Sequence, residues 1–228
     1  MSAPDFQPPV NPMPPAVILL FVAIAGVEAG LSLGEAGLIG GPGAVGWRLG
    51  LIRDYGFSGQ IFDWMIANRQ FPLPELLRLL SYPFVHLSFT HGIFAMVLLL
   101  ALGKMVAEVM GQVAFVLIFV LSGVGGAVVY GLLLDNPMWL TGAYPNVYGL
   151  IGAYTFVLWR SLGRTGEPQA RAFTLIGLLM GLQLLWGVFF EVGMLWVAEL
   201  AGFFCGFALC FLLAPGEWAR MRAGLRRR

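Results

Sequence analysis

The sequence predicts an all-α protein of six membrane-spanning helices, and three observations predict it. Of its 228 residues, 59% are hydrophobic and 11% charged, with a mean hydropathy of +0.83, whereas soluble domains carry about 25% charged residues. Six apolar runs of helical length follow one another along the chain. Arg and Lys are shared unequally between the two sides that an even number of crossings defines. Inside a bilayer every backbone group must be satisfied within the protein, which leaves helices for runs of this length. The content of 31 Gly and 18 Phe suits closely packed spanning helices. A net charge of +1 gives no bulk attraction to nucleic acid. The expected contacts are the lipid bilayer and other integral membrane proteins or their transmembrane segments.

Residues 1–15 are proline-rich and read as a disordered or extended tail. The membrane domain is placed at 16–213. Its first span is Ala16 to Leu33, with Glu28 inside it as either a partner-facing contact or a satisfied interior acid. The run lacks a preceding basic region and outlasts a usual h-region, so no cleavable signal peptide is expected. Residues 34–80 hold four Arg and four acids and read as a folded first loop at the interface, anchored by Trp and Phe. Within the loop, Gln60 to Asn68 has helical periodicity, with Ile61, Trp64, Met65 and Asn68 on one side. Further spans follow at Phe89–Val109, Val113–Leu134, Ala172–Phe190 and Met194–Leu213. Residues 214–228 form a basic tail suited to anionic headgroups.

The remaining span is the fourth. The hexad Thr141-Gly142-Ala143-Tyr144-Pro145-Asn146 precedes an apolar run that ends at Trp159-Arg160. Proline fits the first helical turn, where its missing N–H is not needed. From Pro145 to Arg160 the helix is about 22 Å long, against a hydrocarbon core of about 30 Å. This length predicts a start sunk below the membrane surface, at a partly polar cavity floored by Tyr144.

Orientation follows from the bases. Lys104, Arg160, Arg164, Arg171, Arg220, Arg222, Arg226, Arg227 and Arg228 fall on the side of the termini, and Arg48, Arg53, Arg69 and Arg78 on the other, nine against four. Both termini are therefore expected in the cytoplasm, and the location is expected to be a bacterial cytoplasmic membrane. Cys205 and Cys210 lie in one apolar run and read as packing residues. Lys104 and Glu108, four apart, read as an ion pair, and Gly202 with Gly206 as a close-packing face.

Several strings together resemble one family. Leu77-Arg78 is followed by Phe84-Val85-His86 and then His91, and Gly103, Glu108 and Gly111 stand at the other end of that span. Thr141-Gly142-Ala143 and Val147-Tyr148-Gly149-Leu150-Ile151-Gly152-Ala153 flank the hexad's centre, and Glu199, Gly202 and Gly206 lie on the last span. In this order and spacing, over roughly residues 70–213, the chain resembles the rhomboid intramembrane serine proteases. The resemblance implies a six-helix rhomboid-like bundle with a large first loop. It puts a nucleophilic Ser at the position of Tyr144, followed by a Gly at Pro145. It puts a base His at Glu199, and an oxyanion-binding His and Asn at His91 and Ala95. His86 and Tyr148 keep the family's supporting residues, and Arg78 keeps half of a Trp-Arg pair whose Trp is Leu77 here.

Each substitution works against hydrolysis. A phenol has a reference pKa near 10 and sits on a rigid ring that cannot swing onto a carbonyl. Pro145 removes a backbone N–H and Ala95 a side-chain donor, and one lost oxyanion donor typically costs about 10²–10³ in rate. Thr141 and Ser122 offer no clean replacement nucleophile. His86 and His91 could ligate a metal with Glu199, but histidines at the start of a span are better read as bonded to loop backbone. No metal or cofactor is expected. A bare carboxylate in a span is disfavoured, so Glu199 is expected to be protonated or hydrogen-bonded to Tyr144, locking the former active site. The expected function is a rhomboid pseudoprotease that binds transmembrane segments without cleaving them, and is not an enzyme. The alternatives are an accessory subunit of a larger membrane complex and an intramembrane peptidase with altered catalytic residues.

Overall fold

Helices make up most of the described part of the chain, which in this computed structural model is residues 12–134, 137–189 and 193–214. In chain order they are α1 (Pro15–Glu35), α2 (Trp47–Tyr55), α3 (Gly59–Asn68), α4 (Leu73–Ser81), α5 (Phe89–Met110), α6 (Gln112–Leu133), α7 (Tyr144–Thr165), α8 (Thr174–Phe189) and α9 (Trp196–Leu213). Four of them, α1, α5, α6 and α9, are long and apolar enough to cross a membrane. The protein is an all-α, polytopic integral membrane protein. The basic residues of the C-terminal tail, and the N-terminal tail up to residue 11, lie outside the described residues.

Local chemistry sets the boundaries. Proline opens α1 and α4 in their first turns, where no backbone donor is lost. Ser88 caps α5, its hydroxyl accepting from the His91 N–H at 3.2 Å. Gly111 alone joins α5 to α6.

At the centre lies α7, packed against α5, α6 and α9. Its contact with α9 is backbone on backbone. A Cβ at Gly202 would collide with the Pro145 carbonyl, and one at Gly206 with the Gly149 carbonyl. Small residues let two helices approach this closely. The main core gathers around this helix, with Leu99, Phe115, Ile118, Val147, Ile151, Phe156 and Phe203 fully buried.

The length expected for this helix is corrected. Arg160 does not end it: Ser161 to Thr165 continue the helix to a total of 22 residues, or about 33 Å at 1.5 Å per residue. The helix is thus longer than the segment read from the sequence, and packing holds its N-terminus, with Ala143, Pro145 and Val147 all buried where the helix begins.

The first loop is folded through α2, α3 and α4. The α3 helix forms where its periodicity predicts, with Ser58 as its N-cap, but it buries a different face. Phe62 and Met65 point inward, while Trp64 and Asn68 are exposed. The reason is a second apolar cluster, in which Phe57, Phe62, Met65 and Tyr82 meet Ala127 and Tyr130 of α6. Phe62 fits because Gly131 presents no side chain there.

Candidate functional site

The site assembles where the chain enters α7. Leu140 pairs with Phe57 of the first loop through two backbone hydrogen bonds, at 2.8 and 3.0 Å. The Gly142 N–H donates to the Tyr82 carbonyl at 3.0 Å. Gly142 has φ +83°, and its free face lies against the rings of His86 and His91, so a side chain there would meet both strain and collision. The Ala143 N–H then donates to Nε2 of His86 at 3.3 Å. His86 is fully buried. Burial first, then the neighbouring His91, pushes its pKa down to about 4, so it is neutral and accepts at Nε2.

Tyr144 follows immediately. Its ring stacks on His91 with centroids 4.5 Å apart and planes 19° from parallel. Its hydroxyl donates to the His91 carbonyl at 3.2 Å. One face of Tyr144, expected to floor an open cavity, is thus covered by His91. Pro145 comes next and has no N–H to offer. Ala95, one turn beyond His91 on α5, is fully buried and carries no donor.

Glu199 of α9 is 8% exposed. The expected Tyr144–Glu199 hydrogen bond does not form. The Tyr144 proton is committed to a backbone carbonyl, and the Glu199 carboxylate accepts instead from Nε2 of Gln183 on α8. Tyr148, one turn along α7, interacts with the same carboxylate. Gln183 was not singled out from the sequence, because nothing in an isolated apolar run tells which neighbouring helix it faces.

A family model of the rhomboid domain matches residues 73–216. The chain belongs to the rhomboid family. Among curated proteins none matches it.

In this rhomboid Tyr144 and Glu199, which the resemblance pairs as nucleophile and base positions, sit on two closely packed helices, yet each is bonded elsewhere. The two aliphatic hydroxyls weighed as replacement nucleophiles are placed apart from Tyr144: Ser122 is buried on α6 against Gly149, and Thr141 precedes the glycine turn. Among the described residues no group of three or more His, Cys, Asp and Glu can hold a metal. Cys205 and Cys210 are free thiols, and the Cys210 Sγ–H donates to the Gly206 carbonyl at 3.1 Å. Lys104 and Glu108 pair at 3.9 Å.

Arg78 acts on the loop. It donates from Nη1 to the carbonyls of Arg53 at 2.6 Å and Gly56 at 3.1 Å, and pairs with Glu75 at 2.6 Å. Its guanidinium lies 5.3 Å from the centroid of Trp139. Leu77 is half-exposed, and the aromatic partner comes from the segment ahead of α7.

A buried ion pair supports the site from behind. Glu28 of α1 is the satisfied interior acid of the two alternatives. Arg48 of α2 binds it through two hydrogen bonds, and Ser32 adds a third at 3.0 Å. Arg48 also donates to the His86 carbonyl at 2.8 Å and reaches Glu35 at 2.6 Å. The hydrogen bonds that Arg48 donates to Glu28 and then Glu35 outweigh burial and hold its pKa well above the ordinary arginine value. Arg48 thus connects α1 and the first loop to the histidine that fixes the chain before Tyr144. No local spacing marks Arg48, since its partner lies 20 residues away.

Proposed function

We propose that this rhomboid is a pseudoprotease that binds transmembrane segments of other integral membrane proteins without cleaving them. One observation carries the reading. At the nucleophile position a tyrosine has its only proton bonded to the His91 carbonyl and its ring stacked on His91. Hydrolysis needs a nucleophile free to reach a carbonyl and a base to take its proton. Tyr144 has neither freedom nor a bonded base, and the acid at the base position is engaged by Gln183. The absent N–H of Pro145 and the methyl of Ala95 support the same reading, because both positions lose oxyanion donors. The protein resides in a bacterial cytoplasmic membrane with both termini inside, a placement supported by the nine-to-four division of bases.

The test pairs a catalytic with a binding assay. Purified protein is incubated with a transmembrane rhomboid substrate and with a fluorophosphonate probe, and photo-crosslinked in membranes to single-span proteins. The expected result is crosslinking with neither cleavage nor labelling. Cleavage or labelling abolished by Tyr144→Phe or Glu199→Gln would overturn the proposal in favour of altered catalysis. A single stoichiometric partner after mild solubilisation, with no transient clients, would replace it with a subunit role. Labelling of a cysteine at Arg164 only from outside would reverse the topology.

A further inference from the structure

The α4 helix is amphipathic with its faces reversed. Glu75 and Arg78 pair with each other on the side of the loop, where Arg78 also binds the carbonyls of Arg53 and Gly56. Leu73, Leu77 and Leu80 form a stripe on the opposite side at helical spacing, each half-exposed or more. A helix lying in water would do the reverse. Two grooves open beside this stripe. The first, about 470 Å³, runs between α4 and the end of α2, with Leu77, Leu80 and Phe84 along it and Asp54 and Tyr55 at its α2 side. The second, about 250 Å³, shares Leu80 and Phe84 with the first and extends to Leu20 of α1 and Val120 of α6.

Depth points to what fills them. Val120 lies near the middle of α6 and Leu20 in the first half of α1, and both helices are long enough to cross a membrane. The second groove therefore reaches the hydrocarbon, which soluble ligands do not enter. Leu20, Leu79, Leu80, Phe84 and Val120 all present surface to it, being half-buried or exposed. Its one polar lining side chain, Asn146, is committed: it donates to the Phe119 carbonyl at 2.9 Å and accepts from the Tyr82 hydroxyl at 3.4 Å. One turn of helix about 10 Å across fills roughly 400 Å³, more than this groove holds, whereas a hydrocarbon chain is one methylene wide. The α2 end of the first groove bears both signs of charge. Arg53 and Asp54 are adjacent and exposed, and neither side chain has an ion-pair partner among the described residues.

We propose that the joined grooves bind one acyl chain of an ethanolamine phospholipid, with its head at Asp54. The chain runs along Leu77, past Leu80 and Phe84, and ends between Leu20 and Val120. The ammonium of the head donates to the Asp54 carboxylate. A quaternary choline head has no proton to donate, and an anionic head gains nothing from the acid. The near balance of Arg53 and Asp54 suits a zwitterion. At its deep end the chain packs beside Asn146, two residues after Tyr144, so an ordered lipid also supports the start of α7. The inference is independent of whether the protein cleaves or binds other proteins.

The full-length protein is reconstituted into vesicles of equal parts phosphatidylethanolamine, phosphatidylglycerol and phosphatidylcholine. In each of three samples a trace of one lipid carries a diazirine near the end of its acyl chain, and labelled residues are mapped by mass spectrometry after illumination. Label at Leu20, Phe84 and Val120 is expected to exceed that at Val97, an exposed residue of α5 away from the grooves. It should be about threefold higher from phosphatidylethanolamine than from the other two, the size of an exposed ion pair. Asp54→Asn should remove the headgroup preference and keep the label in the groove. Leu80→Trp, at a half-exposed position, should clear the groove of label and leave Val97 unchanged. Groove label no higher than at Val97, or unmoved by Leu80→Trp, would mean bulk lipid and overturn the proposal. Equal labelling from the three lipids in the unaltered protein would overturn it too. So would loss of the groove label when a single-span client is added or when protein density rises, which would assign the grooves to a client helix or to a second copy of the chain.

Discussion

Arg48 and Glu28 are joined by two parallel hydrogen bonds, Nη1 to Oε2 at 3.0 Å and Nη2 to Oε1 at 2.8 Å, with both side chains buried. A pair of this kind is a demanding arrangement. Removing one partner strands a buried charge, which costs about 3–5 kcal/mol, although the intact pair adds little net stability over an apolar substitute.

Arg48→Met should therefore lower stability by roughly 3 kcal/mol, and adding Glu28→Gln should recover part of that loss. Thermal unfolding of the four species in one detergent measures the cycle. Because Arg48 also holds the His86 carbonyl, the single variant should loosen the segment before Tyr144, read as faster amide exchange at Gly142 and Ala143. Strictly additive losses would show that the two side chains do not depend on each other.

The hydrogen bonds of the site redistribute the expected costs. Tyr144→Phe loses one bond, to the His91 carbonyl, and keeps the ring stack, so it should cost about 1 kcal/mol. Gln183→Leu removes the bonded donor of the Glu199 carboxylate and should cost more, about 1–3 kcal/mol. Chemical or thermal denaturation of both variants gives the order, and the reverse order would return the acid to Tyr144.

Acid should weaken the fold through His86. Its folded pKa of about 4 lies below the ordinary histidine value of 6.5, so the unfolded chain binds the proton first. Stability from this group is complete above pH 6.5 and is lost as pH falls towards 4, by up to roughly 3 kcal/mol. The groups facing the ring are His91, Glu28 and Arg48. His86→Gln should flatten the stability profile between pH 4 and 6.5, and an unchanged slope would assign the loss to another group.

Restoring the nucleophile alone should not restore chemistry. Tyr144→Ser leaves Glu199 bonded to Gln183 and leaves Pro145 without an N–H. Labelling by a fluorophosphonate probe should therefore stay at background in the single variant. Tyr144→Ser, Pro145→Gly, Ala95→Asn and Glu199→His together supply all four missing parts and should label. Labelling of Tyr144→Ser by itself would mean that a base is already in place.

Some of this arrangement was legible in the residues and some was not, for physical reasons. Composition and helical runs gave the bundle, because a bilayer admits few alternatives. The α3 helix was readable from its period, but its buried face was not, since the choice of Phe62 over Trp64 is made by Tyr130 and Gly131 across the fold. The end of α7 was misplaced because an interfacial Trp-Arg looks the same whether a helix stops there or runs on into water. The order of motifs located Tyr144, Glu199 and His91. It could not locate Arg48, Gln183 or Trp139, whose partners stand on other helices and leave no trace in local spacing.

The hold on Tyr144 is written in the main chain. Phe57 with Leu140, and Tyr82 with Gly142, bind carbonyl to amide, and such bonds do not depend on which side chain follows. A position anchored in this way is free to drift. Its residue can be exchanged for one of quite different chemistry while the loop, the turn and the helix start stay where they were.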